Sequence, residues 1–433
     1  MRVKGSITIF MALAFFILIG IFVSIIERAR VNSAKSEVEL AAYSAQRSIA
    51  GYYHNELWAK YDILGLDMSK DRQKLFEEYI KDNTKNNNLF NINYKDINIL
   101  PNYINENGGS ELIRQATECM KYRIPSKLLE KIKGGDQKKE DAINIDDDIT
   151  EDDVKNTKKI EITDPRDSVE NIKDDDGFMN FIFGGNYSNK IISKKANIEG
   201  EIDKVSIYNS ILFNEYVLSH FTSIVNSKNS KNKLDYEVEY ILKGDNNDKV
   251  NIKKVLRDIK LIRLPINIAF LVNDTIYNNA AKIAAIIISG LTFNLSAIKA
   301  TKMAIITAWA YAETAIDVKG LIEGKKVPLV KNRDTWHLGF DNIINFWNVK
   351  PKDNKKGMSY DDYLRGFLLI KSSSIKVRRS MDLIESNLNI DFRKIAYKYI
   401  TSFNYSINKK IMYPDLINNN IYNNSFVAAY GYK

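Results

Sequence analysis

The chain has 433 residues, 45% hydrophobic, 27% charged and 11% aromatic, with a formal net charge of +9. That is ample for a sizeable core and excludes a wholly disordered chain, while a mean hydropathy of −0.30 leaves room for one or two membrane spans at most. The single cysteine, Cys119, excludes a disulfide within the chain and cysteine-bound zinc or iron–sulfur centres, and three histidines leave little for histidine-driven catalysis.

Residues 6–26 form the strongest pattern, 21 residues without a charge. At about 1.5 Å per residue they match a hydrocarbon core of about 30 Å. A secretory signal has a shorter apolar region that ends in small residues. Here the apolar run meets Ile25-Ile26 and then Glu27-Arg28-Ala29-Arg30. The expected element is a retained transmembrane helix behind a short basic cytoplasmic tail, residues 1–5. Lysine and arginine nearly balance across its flanks. The far flank leads into a long hydrophilic chain, so residues 27–433 are expected outside the cytoplasmic membrane.

Beyond Arg30, Ala34, Val38, Ala41, Ala45, Ile49 and Tyr52 recur at helical spacing. They predict one amphipathic helix over 27–65, weakened at Gly51 and ended near Gly65. Its apolar face would dock on this chain's own domain or serve as a spine for lateral assembly. At the membrane interface Glu27 is placed to pair with Arg30 three residues on, with Arg28 and Arg30 anchoring at headgroups.

Residues 66–133 read as the first part of an α+β domain, with a helix over 71–80, a strand at Phe90, Ile92 and Tyr94, and a helix over 111–122. Residues 134–176 then hold 16 acidic and 7 basic residues, a net of −9, which leaves +18 for the remainder. This stretch reads as a solvated, partly disordered insertion. Residues 177–433 read as the main α+β domain. Leu234, Tyr236, Val238, Tyr240 and Leu242 alternate with charged residues as a half-buried strand. Asn251 is expected to cap a helix interrupted at Pro265. Residues 280–312 are read as a buried helical hairpin, because Lys282 and Lys299 leave too short an apolar run for a second span. Helices follow at 359–369 and 378–388, then strands at 397–407 and 426–432. Without regular βαβ alternation, the expected fold is α+β with an antiparallel sheet.

Reactive motifs are lacking. The segment Gly320–Gly324 with Lys325 and Lys326 has one residue too few for a phosphate loop, and Lys326 replaces its Ser or Thr. Gly177, taken as a calcium-loop glycine, would put Ile172 and Phe183 at ligand positions. His54, His220 and His337 read as ordinary packed or surface histidines. The lysines form no basic helix, so nucleic acid is not an expected partner. No catalytic residue, cofactor or metal is assigned.

The opening Lys4-Gly5-Ser6-Ile7-Thr8-Ile9-Phe10, the single span and Glu27-Arg28-Ala29-Arg30 resemble a family of uncharacterised Firmicutes proteins. These are encoded beside Tad/Flp-type pilus or type II secretion genes and are similar to the pseudopilin-like TadE and TadG proteins. The likeness continues at Trp309-Ala-Tyr-Ala-Glu313, Gly324-Lys-Lys-Val-Pro-Leu-Val-Lys331, Ser359-Tyr-Asp-Asp-Tyr-Leu-Arg365 and Met381-Asp-Leu-Ile-Glu-Ser-Asn387. The resemblance implies leader processing at the Gly5–Ser6 bond, although Phe10 stands where prepilins usually carry glutamate. It implies a membrane-anchored, non-enzymatic, pseudopilin-like accessory component of a Tad-like pilus or secretion apparatus. Its partners would be the lipid bilayer, platform proteins and pseudopilins. The alternative is an anchored extracytoplasmic binding protein for a wall polymer or small ligand, suggested by 24 Tyr, 19 Phe and 4 Trp.

Overall fold

All strands among the described residues fall in one of two units of the chain. The computed structural model describes residues 4–85, 90–123, 149–157, 162–193, 195–202, 204–227, 231–289, 294–408 and 421–432. The architecture is α+β. One unit comprises residues 1–115, 197–203 and 390–433, the other residues 116–196 and 204–389.

The first unit opens with α1 (Lys4–Ala50), 47 residues without a break. At 1.5 Å per residue it is about 70 Å long, more than twice a hydrocarbon core. Short helices follow: α2 (Asn55–Tyr61), capped by the His54 ring, α3 (Arg72–Thr84), capped by Asp71, and α4 (Ser110–Arg123), which begins in this unit. The sheet is antiparallel throughout. Its central strand β3 (Ile395–Asn408) lies between β2 (Ile92–Tyr103) and β4 (Ile421–Gly431), and the short β1 (Leu66–Asp67) pairs with the start of β3. The β2 pairing shifts register between Lys95 and Asn98, where Asp96 takes a positive φ of 54°, as a bulge requires.

Alternation in β3 buries Tyr399, Thr401, Phe403, Tyr405 and Ile407 on one face. The lower half of α1 lies in the same core, through Val31, Ala34, Val38, Ala42, Ala45 and Ile49. The alanines let the helix axis approach the sheet closely, and Phe76 of α3 fills the space beside Phe403. Polar contacts fix the register. Gln46 donates through Nε2 to Thr401 Oγ1 and, at 3.1 Å, to the Ala428 carbonyl. Tyr399 returns its hydroxyl to the Gln46 carbonyl at 2.6 Å, and Tyr432 caps Ala50 at 2.7 Å.

The second unit is helical among its described residues. It contains α5 (Glu151–Asn156), α6 (Pro165–Ser168), α7 (Asp175–Phe183), α8 (Ile207–His220), α9 (Glu237–Lys243), α10 (Asp248–Asn273), α11 (Thr275–Ile288), α12 (Leu295–Ile322), α13 (Tyr360–Ile370) and α14 (Ser373–Leu388). The core helix is α12, with Trp309, Ala312, Ile316 and Leu321 fully buried. It packs with α11 as the expected hairpin and also with α10. Ser359 and Asp362 form a reciprocal capping box at the start of α13.

Several expectations are corrected. The helix of the first unit ends at Ala50, so 27–65 is not one helix; Gly51 follows its last turn, and Tyr52 lies beyond it, 47% exposed. The alternating stretch at 234–242 is largely α9, not a strand, because Glu237 and Glu239 are buried acceptors rather than solvent-facing charges. Asn247, not Asn251, caps α10, and Pro265 sits inside an unbroken helix. It forgoes only the bond to the Leu261 carbonyl, at a residue 64% exposed. The main domain expected over 177–433 is divided: its last strands join the sheet of the first unit, and its helices belong to the second. In the acidic stretch, Ile149, Val154, Val169 and Ile172 are core residues; residues 134–148 and 158–161 lie outside the described residues.

Candidate functional site

Two places concentrate chemistry among the described residues. The first is on α1. From Ile7 to Ile26 its apolar side chains are exposed on every side, among them Phe10, Phe16 and Phe22. This helix is long and apolar enough to cross a membrane. The bare surface ends at Glu27, which is 9% exposed. Arg30 grips Glu27 through two bonds, of 3.0 and 2.6 Å, and donates a third at 2.7 Å to the carbonyl of Asn408, the last residue of β3. The expected i,i+3 pair is therefore present, and it also ties helix to sheet. Arg28 is exposed beside it. Gly5 and Ser6 lie in the first turns of α1.

The face expected to serve assembly is buried. Ala34, Val38, Ala45 and Ile49 are fully covered and Ala41 nearly so, all within this chain's own first unit. Of that set only Tyr52 is open. The outward side of this half of α1 instead shows Leu40, 72% exposed, and Tyr43.

The second place is a buried ionic cluster in the second unit. Helical spacing puts Glu313 and Asp317 on one face of α12 and Arg263 and Asn267 on one face of α10. The segment after α12 adds Lys331 and His337. Lys331 Nζ donates to Glu313 and, at 2.5 Å, to Asp317 Oδ1, with both partners fully buried. The other oxygen of Asp317 accepts from Arg263 at 2.7 and 3.1 Å and from Asn267 at 3.2 Å. Arg263 also reaches the Tyr363 hydroxyl at 2.8 Å and the Pro328 carbonyl at 2.9 Å. Glu313 accepts from His337 Nδ1 at 2.7 Å and from the backbone N–H of Leu338 at 3.1 Å. The N–H of Lys352 donates to His337 Nε2 at 2.9 Å, which places the ring hydrogen on Nδ1.

Two carboxylates thus face two cations. Burial pushes the Glu313 carboxyl up, but Lys331 and His337 outweigh it and hold it down at about 2. Burial likewise works against the charge of Arg263, and Asp317 and Tyr363 more than restore it. Glu313, Asp317 and His337 offer donor atoms within 4.8 Å of one another, the spread of a metal site. The arrangement does not fit an ion, however. The Lys331 ammonium stands among these atoms and already bonds the carboxylates that would have to turn to a metal. The cluster clamps residues 331–338 onto α10 and α12.

The sequence reading named no member of this cluster as a site. A signal was present: Glu313, Lys331 and Tyr363 lie in three of the four segments of the second unit quoted for the family resemblance. The fourth contributes Asp382, which accepts from the Tyr240 hydroxyl at 2.8 Å. The other two histidines are ordinary: His54 caps α2 and His220 stacks on Tyr216.

Residues 155–406 match a family of unknown function, DUF5702. The chain belongs to that family. The matched segment holds the ionic cluster and most of β3 and leaves α1 outside. The likeness therefore takes in residues 155–176 of the acidic stretch, which the sequence reading had set apart. No curated protein and no solved structure gives a significant match to the chain.

Proposed function

We propose that this member of the family is a single-pass membrane protein, with residues 27–433 outside the cytoplasmic membrane, acting as a pseudopilin-like accessory component of a Tad-like pilus or secretion apparatus. One observation carries the reading: a single helix is bare and apolar over residues 7–26 and buried against a sheet over residues 31–49. A core helix of a soluble protein would be covered along its length, and this one is not. A signal sequence is released from the folded domain, whereas this apolar segment continues without a break into core residues and the Arg30–Asn408 bond. The continuity supports retention. Rigid coupling between anchor and sheet is also what an assembly component needs, because a membrane confines partners to two dimensions and weak lateral contacts then suffice.

The buried stripe cannot make those contacts, so the reading assigns them to residues 7–26 and to the outward side around Leu40. The alternative of a ligand-binding domain rested on the aromatic content of the chain. Many of those aromatic residues instead make ring contacts within the chain, such as Phe403 with Phe426 and Phe270 with Trp336, as a core also requires.

A photo-crosslinking residue at Leu40 tests the proposal in cells, with one at Ala45 as the comparison. Capture of pilus, pseudopilin or secretion-platform proteins from Leu40, and only intrachain products from Ala45, is the expected outcome. Absence of such partners at Leu40 and throughout residues 7–26 would refute it.

A further inference from the structure

Lys376 is the most unusual buried charge of the second unit. Its residue is fully buried, one turn into α14. Its Nζ contacts are all neutral: Ser210 Oγ at 3.0 Å, Asn214 Oδ1 at 2.5 Å and the Leu368 carbonyl at 3.2 Å. A lysine in the first turns of a helix also lies at the positive end of the helix dipole. Burial, without a carboxylate to offset it, pulls the amine down to about 8, so a substantial neutral fraction exists near physiological pH.

Two hydroxyls stand beside this amine. Ser210 of α8 touches it directly, and Ser373, the first residue of α14, donates to Ser210 Oγ at 3.4 Å. Ser373-Ser-Ile-Lys376 has the serine-x-x-lysine spacing that sets a hydroxyl and an amine one turn apart on a helix. Both serines are half-buried and so reach the surface, whereas the lysine beneath them is sealed. Asn214 holds the amine through its oxygen, and its own Nδ2 is buried without a partner. Exposed apolar residues flank the group: Ile207 one turn before Ser210, 81% exposed, Ile370 at the end of α13, 87%, and Ile375 beside the lysine.

We propose that Ser210 and Lys376 form a serine–lysine nucleophilic site that accepts the acyl group of a carboxylic ester with an apolar acyl chain. Ser210, Asn214 and the Leu368 carbonyl together match the three N–H donors of a lysine, so the contacts alone fit a structural lysine too; the exposed apolar rim beside Ser210 is what a purely structural lysine would not require. In the step, Ser210 Oγ bonds to the ester carbonyl carbon as its proton passes to neutral Lys376 Nζ. The alcohol then leaves with that proton, which gives an ester on Ser210. Water, deprotonated by the same amine, attacks this ester; the carboxylic acid departs and Ser210 recovers its proton. Ser373 and Asn214 are positioning residues, one for the hydroxyl and one for the amine. This departs from the non-enzymatic expectation of the sequence reading and rests on the second unit alone, independently of the anchor.

The test uses the detergent-solubilised full chain with a fluorophosphonate probe, peptide mapping of the label and p-nitrophenyl butyrate turnover. The expected result is label on Ser210 and turnover, both lost at least 100-fold in Ser210→Ala with the melting temperature retained. Asn214→Asp keeps every reacting group but gives the lysine a counter-ion, and should cut labelling more than 10-fold while keeping or raising the melting temperature. Overturning results are no label on the native chain, label on another residue, or labelling by Asn214→Asp equal to that of the native chain.

Discussion

The guanidinium of Arg30 and the main-chain oxygen of Asn408, 378 positions apart in the chain, meet at 2.7 Å. The bond sits where α1 passes from bare to covered, and it joins the helix to the end of the central strand. From Arg30 to Gln46 the helix advances about 24 Å, and from Asn408 back to Tyr399 the strand advances about 30 Å. The hydrogen bonds of Arg30 and of Gln46 with Tyr399 therefore pin the two elements near both ends of their contact.

Replacing Arg30 tests that joint. Arg30→Met strands the buried Glu27 carboxylate and the Asn408 carbonyl, and should cost about 1–2 kcal/mol of stability. Chemical denaturation of the full chain in detergent would read it. Arg28→Met, at the exposed neighbour, should leave the midpoint unchanged.

The ionic cluster predicts non-additivity. Lys331→Met leaves two buried carboxylates facing one cation and should destabilise by about 3–5 kcal/mol; Asp317→Leu should cost a similar amount. Because each single change strands the other's partner, the double variant should cost less than the two summed. Simple additivity in denaturant titrations would show that the two residues are not coupled.

Glu239 predicts a pH dependence. Burial raises its carboxyl from 4.5 to about 7, against the lowering effect of bonds from Tyr360 and the Ile224 N–H. The folded state thus binds this proton more tightly than the unfolded chain. Its stabilisation is complete below pH about 4.5 and is lost as pH rises through about 7, roughly 3 kcal/mol in all. Glu239→Gln should flatten stability between pH 5 and 7. Glu313 has the opposite sign: its folded value near 2 gives stability present above about 4.5 and lost as pH falls below that.

Core packing between helix and sheet gives a fourth expectation. Ala42 is fully buried in that core. Ala42→Leu should cost about 1–3 kcal/mol through overpacking, whereas Leu40→Ala, on the outward side, should leave stability unchanged and reduce partner crosslinking. Thermal unfolding of the two variants separates the faces.

What could be read from the sequence was local. The bare apolar run, the Glu27–Arg30 pair, the Ser359 cap and the alternation of Tyr399 to Ile407 each follow from spacing within one element, and each stands in the structure. The stretch from Leu234 to Leu242, expected as a strand and largely helical, shows the limit. Its glutamates are kept inside by Thr222, Ile224, Tyr360 and Asn387, partners 15 to 150 positions distant that no local pattern reveals. The ionic cluster was hidden for the same reason, since Arg263, Asp317 and Lys331 meet only once α10 and α12 pack. The stripe from Ala34 to Ile49 was seen, but which surface covers it depended on strands formed near residue 400.

The most direct measurement of the central claim is protease treatment of intact spheroplasts, with N-terminal sequencing of the chain recovered from carbonate-washed membranes. A retained, outward-facing anchor predicts that residues 7–26 stay in the membrane and that the region beyond Arg30 is digested from outside. A chain released into the medium without residues 7–26, or one protected until the membrane is broken, would contradict it.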